Sequence, residues 1–338
     1  MSLKHINIPI FIPHKGCPYD CIYCNQKNIS GQHNDITITK MKEIIQEYIS
    51  LLPQKACIEI AFFGGSFTGL DKKEQFKFLE TANEYLKSGV INGIRLSTRP
   101  DYINNEILDY LKSYNVSTIE LGVQSLDDEV LKMSFRGHGV KEVYEASKLI
   151  REYGFKLGIQ TMVGLPKDNT KKALYTAERV VELLPDMVRI YPTLVIKDTY
   201  LEKMYNEGCY TPLDLEKAVE ICAMLLGIYQ NNNINVIRIG LQPTDNINEG
   251  KDVIAGPFHP AFRQMVESKL ALNFIENEIQ KKGLYNKDSI IINTSKKKLS
   301  NVIGQKKSNV EYLRRKYNYK LVSVTILEDE YELYDVKY

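Results

Sequence analysis

The sequence predicts an α/β protein: a parallel sheet, either open or curled into a partial (β/α)6 barrel of the TIM-like kind, followed by a small α+β module. Three observations point there. Short β-branched apolar runs recur along the first two thirds of the chain. Stretches with apolar residues at helical spacing lie between them, and the last fifty residues switch to a strand, helix, strand, strand pattern. Strand-then-helix repeats imply a parallel sheet covered by helices. Such sheets collect their ligands at the C-terminal ends of the strands.

The six strands are read at 6–12, 57–63, 93–98, 118–122, 156–162 and 187–195. Helices at 40–51, 72–87, 104–114, 140–153 and 171–184 fill the intervals. Periodicity alone fits an open sheet as well as a curved one. Two more helices, 199–207 and 213–231, precede a strand at 235–240. Residues 243–260 are rich in Asn, Asp, Gly and Pro and read as a long irregular connection, a feature that is uncommon and often functional. A helix over 261–282 then leads to a strand at 290–293, a helix at 304–317 and strands at 320–327 and 331–336. The resulting division is a core over 1–242, a loop and connecting helix over 243–283, and a basic module over 284–338.

With 338 residues, 43% of them apolar, the chain can bury a large core without disulfides. No run approaches the roughly 18 apolar residues of a membrane helix. The N-terminal apolar segment lacks a small-residue cleavage site and reads as a strand rather than a signal peptide. The expected compartment is the cytoplasm, where thiols stay reduced. The net charge of +2 conceals an asymmetry: residues 281–338 hold 13 Lys/Arg against 7 Asp/Glu, so the remainder is mildly acidic. Any polyanion contact is expected at the C-terminal end.

The strongest chemical signal is CPYDCIYC, which places Cys17, Cys21 and Cys24 in a C-x3-C-x2-C spacing. Three thiolates on one tight loop can bind three irons of a [4Fe–4S] cubane and leave the fourth corner open to a small molecule. A zinc site is the alternative, with His14 or His33 as its fourth ligand, and plain packing is another. Cys57, Cys209 and Cys222 stand among apolar neighbours and read as ordinary buried thiols. The glycines of FFGGSFTG, at Gly64 and Gly65 before Ser66, let backbone approach a ligand closely where the second strand ends. A simple turn would use the same residues. Thr98 and Arg99, Gln124 and Ser125, and Gln160 stand at the tips of the next three strands, and FRGHGV brings Arg136 and His138 to the same rim. Each alone reads equally well as a cap or turn; together they outline a polar mouth. Arg136 is a candidate partner for a carboxylate.

The cysteine spacing, with Tyr23 as the aromatic before Cys24, resembles the radical S-adenosylmethionine (SAM) superfamily. The resemblance implies that the open iron of the cluster chelates SAM, and that reductive cleavage of its sulfonium yields a 5′-deoxyadenosyl radical. It also implies that Gly64, Gly65 and Ser66 hold the methionyl end, with Tyr23, Thr98, Arg99, Gln124, Arg136 and Gln160 as further cofactor contacts. The strings TRPDY, ELGVQS, RGHGV, GFKLGIQTMVGLP and PDMVRIYPTLVIKDTYL extend the likeness, over about 6–212, to the radical SAM domain of the Elongator catalytic subunit and its bacterial relatives. That resemblance implies modification of the wobble uridine of transfer RNA (tRNA), with Tyr191 on the substrate side. It further implies an electron donor such as a ferredoxin or flavodoxin. No counterpart of the family's acetyltransferase-like domain is read after Pro212, so the expectation is either that a partner protein supplies the acyl group or that the reaction differs. Oxygen-independent coproporphyrinogen oxidase shares the cysteine spacing, which keeps a small-molecule substrate open. A non-enzymatic RNA-binding metal protein stays open as well.

In the basic tail, VIGQKKSNVEYL resembles the centre of a KH module, whose GxxG loop clamps a sugar-phosphate backbone. Gly304 matches the first glycine, and Lys307 occupies the place of the second. Lys296, Lys306, Lys307, Arg314 and Arg315 are the expected RNA contacts. The alternative is a solvated, charged helix in a small docking domain.

Overall fold

The computed structural model describes residues 4–12, 17, 20–25, 36–51, 56–241, 251–327 and 335–337. Seven strands form one parallel sheet in the order β1 (Lys4–Ile12), β2 (Ala56–Gly64), β3 (Gly93–Thr98), β4 (Val116–Gln124), β5 (Lys156–Val163), β6 (Met187–Pro192) and β8 (Asn235–Ile239). Helices α1 (Ile38–Leu51), α2 (Lys72–Lys87), α3 (Asn105–Ser113), α4 (Asp128–Met133), α5 (Val140–Glu152) and α6 (Thr170–Glu182) occupy the crossovers up to β6. The chain returns to β8 through α7 (Tyr200–Asn206) and α8 (Leu215–Asn231).

Alternation along each strand divides the residues between two environments. Ile94 and Leu96, Ile119 and Leu121, Leu157 and Ile159, and Val188 and Ile190 enter the main apolar core against the helices. The opposite phase carries Arg95, Glu120, Gln160 and Arg189 to the inner face. Arg95 on β3 reaches the Met187 sulfur on β6 at 3.0 Å, and the Arg189 guanidinium lies 5.1 Å from the Phe63 ring centre on β2. Contacts between strands so far apart in the order require the sheet to curl. The curved alternative is the one adopted.

Short polar residues start the helices where the sequence supplies them. Asp71, Asn104, Asp127, Asn169, Thr199 and Asp214 each accept a hydrogen bond from a first-turn backbone N–H. Several expectations need correction. The strand expected at 235–240 joins the sheet as its seventh member, β8. The run 187–195 ends at Pro192, which has no N–H to donate; β7 (Val195–Ile196) then pairs antiparallel with β9 (Val253–Ala255). The interval read as irregular therefore contains a strand, while 242–250 lies outside the described residues.

The C-terminal module is built on β10 (Ser289–Thr294), which pairs in parallel with β11 (Leu321–Ile326) and antiparallel with β12 (Asp335–Lys337). The helix expected at 304–317 begins only at Ser308, as α11 (Ser308–Tyr317), and an unexpected short helix, α10 (Leu299–Ile303), precedes it across Gly304. Helix α9 (Phe262–Lys281) serves both halves of the molecule. Phe262 and Val266 belong to the main core, whereas Leu272, Ile275 and Ile279 join Ile290, Ile292 and Val322 in a second one.

Between α10 and α11, Gly304, Lys306 and Lys307 all have positive φ, at 76°, 51° and 65°. An L side chain pays for that backbone region, so glycine at 307 should relieve strain. Lys307→Gly is expected to stabilise the protein by about 1 kcal/mol, read as a raised urea midpoint at unchanged slope.

Candidate active site

The cysteine loop is held between the first two strands and the helices beyond the fourth. The Cys24 N–H donates to the Cys21 carbonyl at 2.9 Å, closing a turn between two of the thiols. Ile22, fully buried, donates its N–H to Ser134 and accepts from Leu201. The side chain of Ile22 packs with Val195, Leu201 and Tyr210. Packing and backbone hydrogen bonds thus fix the chain at Ile22.

The glycine segment meets the loop directly. Gly64 adopts φ 105°, a conformation costly to any L side chain, and Gly65 N–H donates to the Ile12 carbonyl at 2.7 Å. This seats Ser66 so that its backbone N–H donates to the Cys17 sulfur. Burial pushes the Cys17 thiol up, and the Ser66 N–H offsets part of that rise. The Ser66 hydroxyl bonds Thr98 Oγ1 at 2.8 Å and accepts from Arg99 N–H at 3.2 Å; Thr98 also bonds Thr68 Oγ1 at 2.5 Å. Thr98 thus fastens the glycine segment to β3.

Arg136 donates from Nη1 to the Cys21 sulfur at 3.2 Å and from Nη2 to the Gly122 carbonyl at 2.5 Å. Arg99 supports it: its Nη2 donates to the Arg136 carbonyl at 2.5 Å, and its guanidinium is gripped by Asp101 at 2.9 and 3.0 Å. A chain of contacts therefore runs from Asp101 to a sulfur. Tyr23 is partly buried beside it with its hydroxyl oxygen enclosed, and desolvation holds that hydroxyl well above the usual tyrosine range against the opposing pull of Arg136. His138 Nδ1 lies 3.3 Å from the Gly139 carbonyl. Burial, helped by Arg136, lowers the imidazole pKa to about 4, so it is neutral at physiological pH. Arg136 Nε and His138 Nε2 are buried with no hydrogen-bond partner among the described residues.

Other candidates have different surroundings. Ser125 faces away from the mouth, 3.4 Å from the Thr176 hydroxyl, and accepts from the Asp127 N–H. Gln124 is buried with φ 69° at a register shift between β4 and β5. Gln160 donates to Glu120 at 2.9 Å inside the barrel, and Tyr191 neighbours Arg189 there. Lys296, Gly304, Lys306, Lys307, Arg314 and Arg315 belong to the C-terminal module.

Sequence reasoning passed over the lattice beneath this mouth. Glu120 accepts from Arg189 at 2.6 and 3.0 Å and from Arg95 at 2.8 Å. Arg95 in turn donates to Glu59 at 2.6 and 2.9 Å. Burial would raise the Glu120 pKa, but Arg189 and Arg95 outweigh it and hold the carboxyl below its ordinary range. Gly158 on β5 leaves the room, since a Cβ there would come within 2.6 Å of Glu120 Cγ. The available signal was a charged residue inside an otherwise apolar strand of a sheet covered on both faces.

The donor set fits an iron–sulfur cluster. Three thiols meet two hydrogen-bond donors, Ser66 N–H and Arg136, of the kind that stabilise ligand sulfurs. Among the described residues no three His, Cys, Asp or Glu side chains converge on a single ion. His14 and His33 lie outside the described residues. The buried, unpartnered Arg136 Nε adds a donor suited to an anionic group such as the carboxylate of SAM.

Comparisons with known proteins agree with this geometry. The pattern of the Radical SAM superfamily matches residues 11–180, and that of the Radical_SAM C-terminal domain matches 185–271. The chain is 34% identical over 175 residues to a tRNA uridine(34) acetyltransferase of Dehalococcoides mccartyi, covering 46% of this chain and 38% of that protein. It thus spans well under half the length of this relative. An uncharacterised protein of Methanocaldococcus jannaschii is 30% identical over 230 residues, covering 64% of this chain and 70% of that one. The archaeal Methanocaldococcus infernus Elp3 with an N-terminal deletion superposes with a TM-score of 0.63 at 21% identity, covering 84% of this chain and 64% of the other. It supports the partial-barrel fold.

Proposed function

Because the chain belongs to the radical SAM superfamily, a superfamily of enzymes, we propose that Cys17, Cys21 and Cys24 hold a [4Fe–4S] cluster and that the protein modifies tRNA at the wobble uridine. The observation that carries this reading is the meeting of cysteine loop and glycine segment, with the Ser66 N–H on Cys17 and Arg136 on Cys21. When bound, the cluster supplies the electron that cleaves the sulfonium of SAM. The chain's own residues do the rest. Arg136 offsets thiolate charge and offers its Nε to a carboxylate. Gly64 and Gly65 give backbone access for the methionyl group. Ile22 and Tyr23 keep water from the loop's inner side. The Glu120 lattice makes a rigid polar floor, with Tyr191 above it toward the substrate.

The relatives' names favour tRNA as substrate, and the basic module supplies phosphate-binding charge. The reading includes a cytoplasmic setting, a ferredoxin or flavodoxin as electron donor, and a partner protein for any acyl group. No described helix is long and apolar enough to cross a membrane.

Anaerobic protein supplied with iron, sulfide, SAM and reductant should release 5′-deoxyadenosine. With total tRNA added, nucleoside mass spectrometry should show one uridine of altered mass. Release of 5′-deoxyadenosine with every tRNA nucleoside unchanged would move the substrate to a small molecule.

A further inference from the structure

The C-terminal half of α9 and the end of α11 enclose a groove of about 430 Å³, away from the Gly304–Lys307 turn. We propose that it holds one unstacked base of single-stranded RNA, an inference that rests on the RNA reading above. One wall is a row of amides. Asn273, Asn277 and Gln280 recur at i, i+4 and i+7, so they share a face of α9, and none of their side-chain amides is hydrogen-bonded to a described residue. A side-chain amide offers a donor and an acceptor side by side, which matches the edge of a base.

The other wall is aromatic. Tyr285, nearly half exposed, has its ring centre 6.0 Å from that of Tyr317, which stacks on Tyr319 at 5.6 Å. Exposed tyrosine rings are stacking platforms for bases. The one carboxylate in the groove is already neutralised: Glu276 accepts from Lys316 Nζ at 2.6 Å, Tyr317 at 3.1 Å and Tyr312 at 3.3 Å. What remains open is neutral, planar and hydrogen-bonding. The surrounding surplus of lysine and arginine favours a ligand that carries phosphates.

The turn with Lys306 and Lys307 stands at the start of α11 and the groove at its end, about 15 Å along the axis. One strand can engage both, phosphate at the first and base at the second.

Fluorescence anisotropy of the full chain with labelled single-stranded A, C and U oligomers tests this. Tyr285→Ala is expected to weaken binding about tenfold, and Tyr285→Phe to retain it, because stacking needs the ring. Asn277→Ala combined with Gln280→Ala should narrow the differences among the three oligomers. Both groove variants should keep the wild-type salt dependence. Lys306→Glu with Lys307→Glu should weaken all three alike and flatten that dependence. Wild-type affinity in the groove variants, beside a weakened lysine variant, would overturn the groove while leaving the RNA reading intact. A wild-type chain that binds polyglutamate but no oligomer would overturn both.

Discussion

Cys21→Ala protein should emerge from anaerobic reconstitution with little bound iron and without the visible absorption of thiolate-ligated clusters. Cys21 is the thiol to test because it is buried and accepts from Arg136 at 3.2 Å. Alanine removes a proposed ligand and leaves a buried guanidinium facing a methyl group, so both metal affinity and loop order should suffer. Cys57→Ala and Cys209→Ala, which change thiols outside the loop, serve as controls and should hold wild-type iron. Iron analysis and the electronic spectrum read the result. Full iron content in the Cys21 variant would refute the assignment of this loop.

Glu120→Gln should produce the largest loss of stability of any single change considered. The substitution preserves shape but removes the charge shared by Arg95 and Arg189, two guanidinium groups that are themselves buried. Breaking one partner of such a lattice costs about 3–5 kcal/mol, since the remaining charges stay out of water. Urea denaturation measures it; a change below about 1 kcal/mol would mean that the lattice relaxes or admits water. The same group gives wild type an acid limb. A carboxyl held low in the folded state contributes its full share above the ordinary glutamate value, about 4.3, and loses it as pH falls through its lower folded value. The glutamine variant should lack that part of the acid sensitivity.

The parallel α/β sheet was legible because its strands are short, apolar and separated by helices whose caps are written as single polar residues. Asp71, Asn104 and Asn169 mark helix starts within one residue of the expected positions. The curvature was not legible, since it depends on contacts between β3 and β6 and between β2 and β6 that no local period encodes. At the mouth, three cysteines and two glycines carried most of the signal because their spacing is itself chemistry. The support of Arg136 by Arg99 joins residues 37 apart in sequence, and the Glu120 lattice joins residues 25 to 69 apart. Composition could not announce either. Gly304, expected to open a helix, instead closes α10 with a positive φ before the turn that leads to α11.

Helix α9 carries one further consequence. Its first turns are anchored in one apolar interior and its last turns in the other, with no break along its 20 residues. Neither half of the molecule can melt alone without stripping half of that rod of its partners. The protein should therefore lose order as a single cooperative unit, and its tail is an integral part of the whole rather than a detachable appendage.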